Sequence, residues 1–330
     1  MQKIINRDLV IVGAGPAGMA AVIAAYEAGV RDILLIERDS RLGGILNQCI
    51  HTGFGAEYFN QVLTGPEYAG RFAEKVKSKP EVEISLNSLV VDLTPEKILT
   101  YLSPGKLVKV KAQALIMATG CRERTREMIN IAGFRPAGIF PAGLAQKLIN
   151  VEGLMPGREV VVIGSGDIGM IMARRFMLEG AKVKAVVEIR DKTKGLVRNV
   201  VQCLDDFDIP LYLRHKVKFI HGKDRVKSVD IIKIDQNFQE IEGTQFSLDC
   251  DTILISVGLI PENELIELAG VDIDAVTNGP KSDKVNLTSV PGIFVCGNAY
   301  RVYDLVDRVS GESELAGRMA AEYLRQNNVN

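Results

Sequence analysis

The chain has 330 residues, of which 47% are hydrophobic and 25% are charged, and its 40 basic residues almost balance its 41 acidic ones. This length predicts two domains of ordinary size, and the balanced charge argues against nucleic acid or an acidic membrane as a partner. No apolar run approaches the ~20 residues of a membrane span, and no signal-peptide pattern precedes the first strand, so we expect a cytoplasmic protein.

The first predicted unit is DLVIVGAGPAGMAAVIAAYEAGVRDILLIER, residues 8–38, which reads as a strand, a glycine turn, a helix and a second strand. Its GxGxxG pattern typifies dinucleotide binding: Gly13 allows the tight turn, Gly15 lets the backbone approach a pyrophosphate, and Gly18 permits close helix–strand packing. Glu37 ends the second strand, where a carboxylate can accept hydrogen bonds from a ribose.

The stretch GGILNQCIHTGFG, residues 43–55, holds Cys49 but no second cysteine. Cys49 has three interpretations: a single redox cysteine whose thiol pKa is lowered by His51, a residue that lines a cofactor pocket without turning over, or a buried small hydrophobe. The missing partner cysteine favours the second and third interpretations. His51 is equally open, either as a proton donor near a cofactor or as a satisfied polar residue.

The next segment, ILTYLSPGKLVKVK, predicts a hairpin whose turn is Pro104-Gly105, and the apolar strand ALIMATG, residues 114–120, follows it. The remaining cysteines, at 121, 203, 250 and 296, form no CxxC and no metal-ligand spacing. We therefore expect reduced thiols and no metal site.

Residues 159–190, EVVVIGSGDIGMIMARRFMLEGAKVKAVVEIR, repeat the first unit. Gly164, Gly166 and Gly169 match its three glycines, and Glu188 follows Gly164 at the same distance as Glu37 follows Gly13. An internal duplication is the economical explanation. Because a carboxylate repels a 2′-phosphate, Glu188 favours NAD(H) over NADP(H).

The run of Arg190, Lys192 and Lys194 that follows could still receive a 2′-phosphate, although such runs are more often a solvated face. The later runs LYLRHKVKFI and FSLDCDTILIS alternate at the strand period, and TILISVG, residues 252–258, ends in a glycine as ALIMATG does.

After Pro261 the chain is too short for a third domain. It carries PGIFVCGN, residues 291–298, and then SGESELAGRMAAEYLRQ, which predicts a helix that begins near Ser310 with that residue as its N-cap. We expect this segment to complete the first domain. The predicted domains are therefore residues 1–118 with 262–330, and the inserted residues 119–261.

The two GxGxxG motifs, Glu37, Gly43-Gly44, ATG and PGIFVCGN occur in the order of the two-domain, thioredoxin-reductase-like pyridine nucleotide-disulfide oxidoreductases, which the chain resembles over nearly its whole length. The resemblance implies an α/β fold of two Rossmann-like (three-layer ββα) dinucleotide-binding domains, with an FAD domain split by an inserted NAD(P) domain. It implies that FAD is bound by Gly13, Gly15, Pro16, Ala17, Gly18, Glu37, Arg38, Gly43, Gly44, Gln48, Ala118, Thr119, Gly120, Gly297, Asn298 and Ser310. It implies that the nicotinamide nucleotide is bound by Gly164, Gly166, Asp167, Ile168, Gly169, Glu188 and Gly258.

More narrowly, GGILNQCIHTGFG, ATGCRER and CGNAYRVYDLVD resemble a subgroup found beside glycerol-3-phosphate-dehydrogenase-like enzymes and a small cysteine-rich protein. That subgroup is related to FAD subunits of sarcosine oxidase and of opine and proline dehydrogenases. Two departures from the wider family stand out. There is no CxxC, which argues against thioredoxin reduction, and Gly297-Asn298 replaces the usual Gly-Asp that meets the ribityl chain of FAD.

The resemblance implies an FAD-dependent NAD(P)H oxidoreductase that exchanges electrons with a dehydrogenase flavoprotein through the cysteine-rich protein, and it leaves a homodimer open. The alternatives are a stand-alone single-cysteine NADH oxidase, peroxidase or disulfide reductase that uses Cys49, and a redox-sensing flavoprotein that is not an enzyme.

Overall fold

The computed structural model describes residues 4–283 and 286–327. Its contacts divide the chain into two compact units: the first takes the chain up to Arg122 and again from Ile260, and the second is Glu123–Leu259. The sequence analysis places the corresponding boundaries at 118/119 and 261/262. Which nucleotide each unit binds remains a prediction at this point.

The helices and strands follow one another closely along both units. The strands are β1 Ile4–Val12, β2 Ile33–Ile36, β3 Thr52–Phe54, β4 Leu63–Thr64, β5 Val82–Ser85, β6 Leu89–Leu93, β7 Ile98–Ser103, β8 Lys106–Met117, β9 Cys121–Glu123, β10 Ala132–Gly133, β11 Ile139–Pro141, β12 Glu159–Ile163, β13 Lys182–Glu188, β14 Leu211–Leu213, β15 His215–His221, β16 Ser228–Lys233, β17 Phe246–Asp249, β18 Thr252–Ile255, β19 Leu259–Pro261 and β20 Ile293–Val295. The helices are α1 Pro16–Glu27, α2 Gly65–Lys77, α3 Ala142–Asn150, α4 Asp167–Leu178, α5 Val197–Cys203, α6 Glu264–Leu268 and α7 Val306–Asn327.

The first unit is built on one mixed sheet with the strand order β5-β2-β1-β8-β7-β6, in which β20 also pairs with β8. The pairs β5–β2, β2–β1, β1–β8 and β8–β20 are parallel, and β7 and β6 extend the sheet antiparallel. β7 and β8 form the predicted hairpin, with Ser103 opposite Lys106 and Gly105 at φ +74°. The hairpin prediction is therefore confirmed.

Helix α1 is buried along most of its length, because small residues let it lie against both the sheet and helix α7. A Cβ added at Gly317 of α7 would lie 2.3 Å from the carbonyl oxygen of Ala21, so the two helix backbones are in direct contact. This close packing fixes the position of the start of α1, which follows the first glycine turn.

The second unit contains a parallel sheet with the strand order β11-β18-β12-β13-β14 and a mixed sheet with the order β10-β15-β16-β17, in which β10 pairs with β15 in parallel and the other pairs are antiparallel. In the parallel sheet β14, β13, β12 and β18 stand in the same order as β5, β2, β1 and β8 of the first unit. The sheet order thus supports the duplication that the sequence repeat indicates.

Two alternating runs that read as single strands are each divided. LYLRHKVKFI breaks at Arg214, which has φ +53°, so that β14 joins the parallel sheet and β15 joins the mixed one. FSLDCDTILIS breaks at Cys250 and Asp251 into β17 and β18, which also belong to different sheets. A period of two residues specifies faces and not the sheet that a strand joins.

The prediction that the last helix begins near Ser310 is wrong. Helix α7 begins at Val306, and Ser310 is fully buried in its second turn, where its hydroxyl oxygen accepts a hydrogen bond from Tyr68 Oη at 2.8 Å. The side chain that holds the start of the helix is Asp307, whose carboxylate accepts from the backbone N–H groups of Gly55 and Tyr58 at 3.1 and 2.8 Å. A serine next to a glycine resembles an N-cap in sequence, but the tertiary bond to Tyr68 uses it differently.

Candidate functional site

The first glycine turn joins β1 to α1 under severe steric constraint. Gly13 has φ +99°, and a Cβ there would lie 2.4 Å from the carbonyl oxygen of Ala118; a Cβ at Gly18 would lie 1.8 Å from the oxygen of Gly13. At Gly15, by contrast, an added Cβ meets no atom of the described residues within 4 Å. The first and third glycines therefore serve packing, and the middle one borders open space.

The open space faces the start of α1, where a dinucleotide phosphate would fit. Pro16 occupies the first turn, and the N-cap residue, Gly15, makes no side-chain hydrogen bond to the N–H groups of that turn. Unpaired N–H groups at a helix N-terminus favour an anion. Ala17 lies beside Gly297, since a Cβ at Gly297, which has φ +63°, would lie 2.6 Å from the Ala17 Cβ.

Glu37 is buried at the end of β2, and both of its carboxylate oxygens are anchored by backbone. Oε2 accepts from Ala14 N–H at 2.7 Å and Oε1 from Asp39 N–H at 2.8 Å. A carboxylate has about four acceptor positions, so each oxygen keeps one for a ribose hydroxyl. Arg38, which follows it, is exposed.

The glycine pair after β2 crosses in front of the first turn. Gly43 N–H donates to the oxygen of Ala14 at 2.9 Å, and a Cβ at Gly44, which has φ +54°, would lie 3.0 Å from Cα of Gly15. The pair therefore lets two backbones approach beside the open space at Gly15. Gln48, at the end of the 3-10 helix Gly44–Gln48, is buried.

We call the first glycine turn together with Glu37 the first cradle, and the second glycine turn together with Glu188 the second cradle. The predicted ATG segment and Gly297-Asn298 lie in the same unit as the first cradle. Ala118 N–H donates to the oxygen of Val12 at 2.9 Å, and Thr119 Oγ1 donates to the oxygen of Glu262 at 2.8 Å. Gly120 has φ +76°. Asn298 uses its Oδ1 to accept from Tyr303 N–H at 3.1 Å, and its Nδ2 lies 3.5 Å from the Cys121 sulfur.

The second glycine turn, between β12 and α4, repeats the first, with more room at its third glycine only. A Cβ at Gly164, which has φ +95°, would lie 2.2 Å from the oxygen of Ser256, and one at Gly169 would lie 2.8 Å from the oxygen of Gly164. A Cβ at Gly166 would meet only Ser256 atoms, at 3.7 Å or more. The start of α4 thus also presents backbone N–H groups to an open space that suits a pyrophosphate.

Glu188 is buried at the end of β13 as Glu37 is at the end of β2. Its Oε2 accepts from Ser165 N–H at 2.9 Å and from the Ser165 hydroxyl at 2.6 Å, and its Oε1 accepts from Arg190 N–H at 3.0 Å. Each glutamate is therefore held by the residue that follows the first glycine of its turn and by the backbone N–H of the residue two positions after the glutamate itself.

Other predicted nucleotide-binding residues of the second unit have structural partners. Asp167 Oδ1 accepts from Leu196 N–H at 2.8 Å and from Asn199 Nδ2 at 2.6 Å, so it fastens the segment after β13 to the start of α4. Ile168 is half-buried. Gly258, at φ +117°, accepts from Arg124 N–H at 3.1 Å.

Cys49 lies directly after the 3-10 helix Gly44–Gln48 and is 6% exposed. Its sulfur lies 3.4 Å from the oxygen of Ile45, and a Cβ added at Gly65 would lie 2.8 Å from the Cys49 Cβ. Burial raises the pKa of the thiol to about 12. A thiol in these surroundings stays protonated at neutral pH and is a poor nucleophile.

His51 lies two residues further on, half-buried, with Nδ1 3.1 Å from the oxygen of Thr52 and its ring 5.0 Å from that of Phe54. All five cysteines fall within the described ranges, and none of them forms a disulfide. Cys49 is therefore not one half of a redox disulfide in this structure.

Sequence reasoning missed Glu312, which lies on α7 beside Gly297. Its Oε2 accepts from Gly297 N–H at 2.9 Å, and its Oε1 contacts Asn286 Nδ2. Burial raises its pKa to about 7, although the bond from Gly297, the nearby Arg301 and the Ser313 hydroxyl oppose the shift. In the sequence Glu312 is one of several acidic residues of an amphipathic helix, so nothing distinguishes it there.

The described residues hold neither a metal-ligand cluster nor a helix suited to a bilayer. Within residues 4–283 and 286–327, no group of three or more His, Cys, Asp or Glu side chains could hold a metal ion. None of the helices in that part of the chain combines the length and the apolar character that a bilayer span requires.

Residues 7–313 match the family described as pyridine nucleotide-disulphide oxidoreductase. The HcnB component of hydrogen cyanide synthase from Pseudomonas protegens is 27% identical over 94% of this chain and 69% of its own length. An opine oxidase component from Agrobacterium tumefaciens is 25% identical over 95% of this chain and 64% of its own length. The chain therefore spans only about two thirds of these relatives. The crystal structure of T. acidophilum thioredoxin reductase matches with a TM-score of 0.75 and 22% identity, over 98% of this chain and 99% of that one.

The chain belongs to the pyridine nucleotide-disulphide oxidoreductase family. It is an FAD-dependent NAD(P)H oxidoreductase with FAD and a nicotinamide nucleotide as its cofactors. The predicted family, fold class, enzyme class and cofactors are thus confirmed, and both glycine cradles fit a bound dinucleotide.

Proposed function

We propose that the chain is an electron-transfer subunit of a dehydrogenase system, in which the first unit binds FAD and the second unit binds NAD(H). FAD would supply the redox chemistry by exchanging a hydride with the nicotinamide ring. The residues of the chain would hold the two nucleotides: the N–H groups at the starts of α1 and α4 bind pyrophosphates, and Glu37 and Glu188 bind ribose hydroxyls.

The observation that carries this proposal is the state of Cys49. Family members that reduce disulfides pass electrons from flavin to a redox cysteine, and this thiol is buried, beside the oxygen of Ile45, with its pKa raised to about 12. No disulfide forms within the described residues. Electrons that reach FAD therefore need an acceptor or donor outside the chain.

The names of two relatives support an external partner. HcnB and the opine oxidase component are each named as one subunit of a larger enzyme. We propose that the partner here is a dehydrogenase flavoprotein, reached through a small cysteine-rich protein.

The preference for NAD(H) over NADP(H) rests on Glu188. Its buried carboxylate is fixed at the end of β13 by Ser165 and Arg190 N–H, where a 2′-phosphate would bring a second negative charge close to it. Arg190, Lys192 and Lys194 are all exposed, so their attraction to a 2′-phosphate is weakened by water and salt.

An anaerobic titration of the FAD-loaded protein with NADH, followed by the flavin spectrum, tests the proposal. We expect one equivalent to bleach the flavin without a long-wavelength thiolate–flavin band, and Cys49→Ser to behave in the same way. Cys203→Ser is the matched control, because Cys203 is also buried, in the second unit.

Two results would contradict the proposal. Uptake of two equivalents, with a thiolate–flavin band that disappears in Cys49→Ser but not in Cys203→Ser, would establish a single-cysteine oxidase, peroxidase or disulfide reductase. Bound FAD that neither NADH nor NADPH reduces would indicate a redox-sensing binding protein.

Steady-state turnover with NADH should be slow with O2 and fast with an artificial one-electron acceptor, since the proposed acceptor is another protein.

A further inference from the structure

Ser165 is fully buried, and its side chain contacts the carboxylate of the second cradle. Its hydroxyl donates to Glu188 Oε2 at 2.6 Å, and its N–H donates to the same oxygen at 2.9 Å. The hydroxyl oxygen also accepts from Lys194 N–H at 3.1 Å. One side chain therefore joins the glycine turn, the glutamate and the basic segment that follows it.

The hydroxyl changes how many hydrogen bonds Glu188 can still accept. A carboxylate offers about four acceptor positions, two on each oxygen. Ser165 fills both positions on Oε2, and Arg190 N–H fills one on Oε1. Glu188 can therefore accept from one ribose hydroxyl only, through Oε1.

The first cradle provides an internal comparison, because Ala14 occupies the place of Ser165. Glu37 accepts one bond on each oxygen, from Ala14 N–H and from Asp39 N–H, and keeps one position on each. It can accept from both hydroxyls of a ribose. The two carboxylates are held by the same backbone contacts and differ by one hydroxyl group.

We propose that Ser165 is a specificity-determining positioning residue, which restricts Glu188 to a single ribose hydroxyl and so moderates both the affinity for NAD(H) and the rejection of NADP(H). The inference rests on the proposed function, since it requires that the second cradle binds the nicotinamide nucleotide. A short hydrogen bond from a hydroxyl also draws negative charge from Oε2, which weakens the repulsion of a 2′-phosphate. A weakened acceptor such as Glu188 suits a nucleotide that must dissociate after each turnover. The acceptor without the extra hydrogen bond, Glu37, suits a cofactor that stays bound.

The test uses Ser165→Ala and Ser165→Cys in the FAD-loaded protein, kept anaerobic with its flavin already reduced so that no hydride is transferred, with dissociation constants for NADH and NADPH measured by calorimetry. Alanine frees one acceptor position on Oε2, and cysteine keeps the side-chain volume while its thiol donates only weakly. We expect the NADH-to-NADPH affinity ratio to rise about tenfold in Ser165→Ala and by a smaller factor in Ser165→Cys, because a hydrogen bond to a charged group is worth about this much. The melting temperatures establish that both variants are folded.

The outcomes separate the inference from the proposed function. Equal losses of affinity for NADH and NADPH in both variants would show that Ser165 only supports the fold, and a fall in the ratio would show that it strengthens Glu188; either result overturns the inference and leaves the proposed function intact. Wild-type protein that binds neither nucleotide would overturn the proposed function, and the inference with it.

Discussion

The two cradles of this chain both place glycines against nearby backbone, but they leave different distances between an added Cβ and that backbone. In both, the first glycine has a positive φ and lies against a strand-end carbonyl, and a buried glutamate accepts from the residue that follows this glycine. A Cβ at Gly18 would lie 1.8 Å from backbone oxygen, whereas one at Gly169 would lie 2.8 Å from it. The first cradle is therefore tighter at its third glycine, whereas the second is slightly tighter at its first glycine, at 2.2 Å for Gly164 against 2.4 Å for Gly13.

The segments that cross the two cradles are held by an equivalent backbone bond and differ in their side-chain contacts. Gly43 N–H donates to the oxygen of Ala14 at 2.9 Å, and Gly195 N–H donates to the oxygen of Ser165 at 3.0 Å. The second segment is also fastened through a side chain, since the carboxylate of Asp167 accepts two hydrogen bonds from it.

The largest expected effect comes from adding one methyl group to each cradle. Gly18→Ala should reduce FAD content and stability severely, by about 3 kcal/mol or more, because the new Cβ meets backbone that cannot move aside. Gly169→Ala should cost less, since its nearest backbone contact is longer, at 2.8 Å against 1.8 Å, and its other contacts come from the Ser256 side chain. Thermal melting and the flavin-to-protein absorbance ratio measure both effects.

Gly70→Ala is the control for these substitutions. Gly70 lies within α2, and no described atom lies within 4 Å of an added Cβ. Alanine there should leave the melting temperature unchanged or raise it. Equal losses in Gly18→Ala and Gly169→Ala would remove the proposed difference in tolerance between the cradles.

The second expected effect separates the two carboxylates. Glu37→Gln and Glu188→Gln each place an amide nitrogen against a backbone N–H donor, which costs roughly 1.5–3 kcal/mol locally. We expect Glu37→Gln to lose FAD while the second unit stays folded, and Glu188→Gln to keep FAD but lower the NADH-to-NADPH ratio of kcat/KM about tenfold. If Glu188→Gln lost FAD instead, the assignment of the nucleotides to the units would be wrong.

The third expected effect is a pH dependence to which Glu312 of the first unit contributes. Burial raises the pKa of Glu312 from its ordinary 4.5 to about 7. Between these values the folded protein holds a proton that the unfolded chain has released, so stability should fall as the pH rises through this window. Glu312→Gln should reduce that slope in the melting temperature of the apoprotein, and the slope that remains comes from other carboxyls whose pKa burial raises, Asp8 and Glu123.

Glu314→Gln is the matched control, because Glu314 lies two residues away on the same helix and bonds to Tyr58 Oη. It should leave the slope between pH 4.5 and 7 in place. A wild-type protein with no such slope would show that Glu312 is ionised throughout this range.

The sequence by itself determined the duplicated units, the positions of the glycine turns and of the two carboxylates, and the family, because these features depend on local spacing. A GxGxxG turn fixes its own geometry through positive φ angles and short contacts within one strand–helix unit. The hairpin at Pro104-Gly105 was predictable for the same reason.

Tertiary structure alone decided the features that depend on which distant groups meet. Ser310 bonds to Tyr68 instead of capping α7, Cys49 is buried at the start of α2, and Glu312 reaches Gly297 across the first unit. The number of hydrogen bonds that Glu188 can still accept also depends on the rotamer of Ser165, which no local sequence pattern specifies. Local sequence sets backbone conformation, but hydrogen-bond partners and burial follow from packing between segments far apart in the chain.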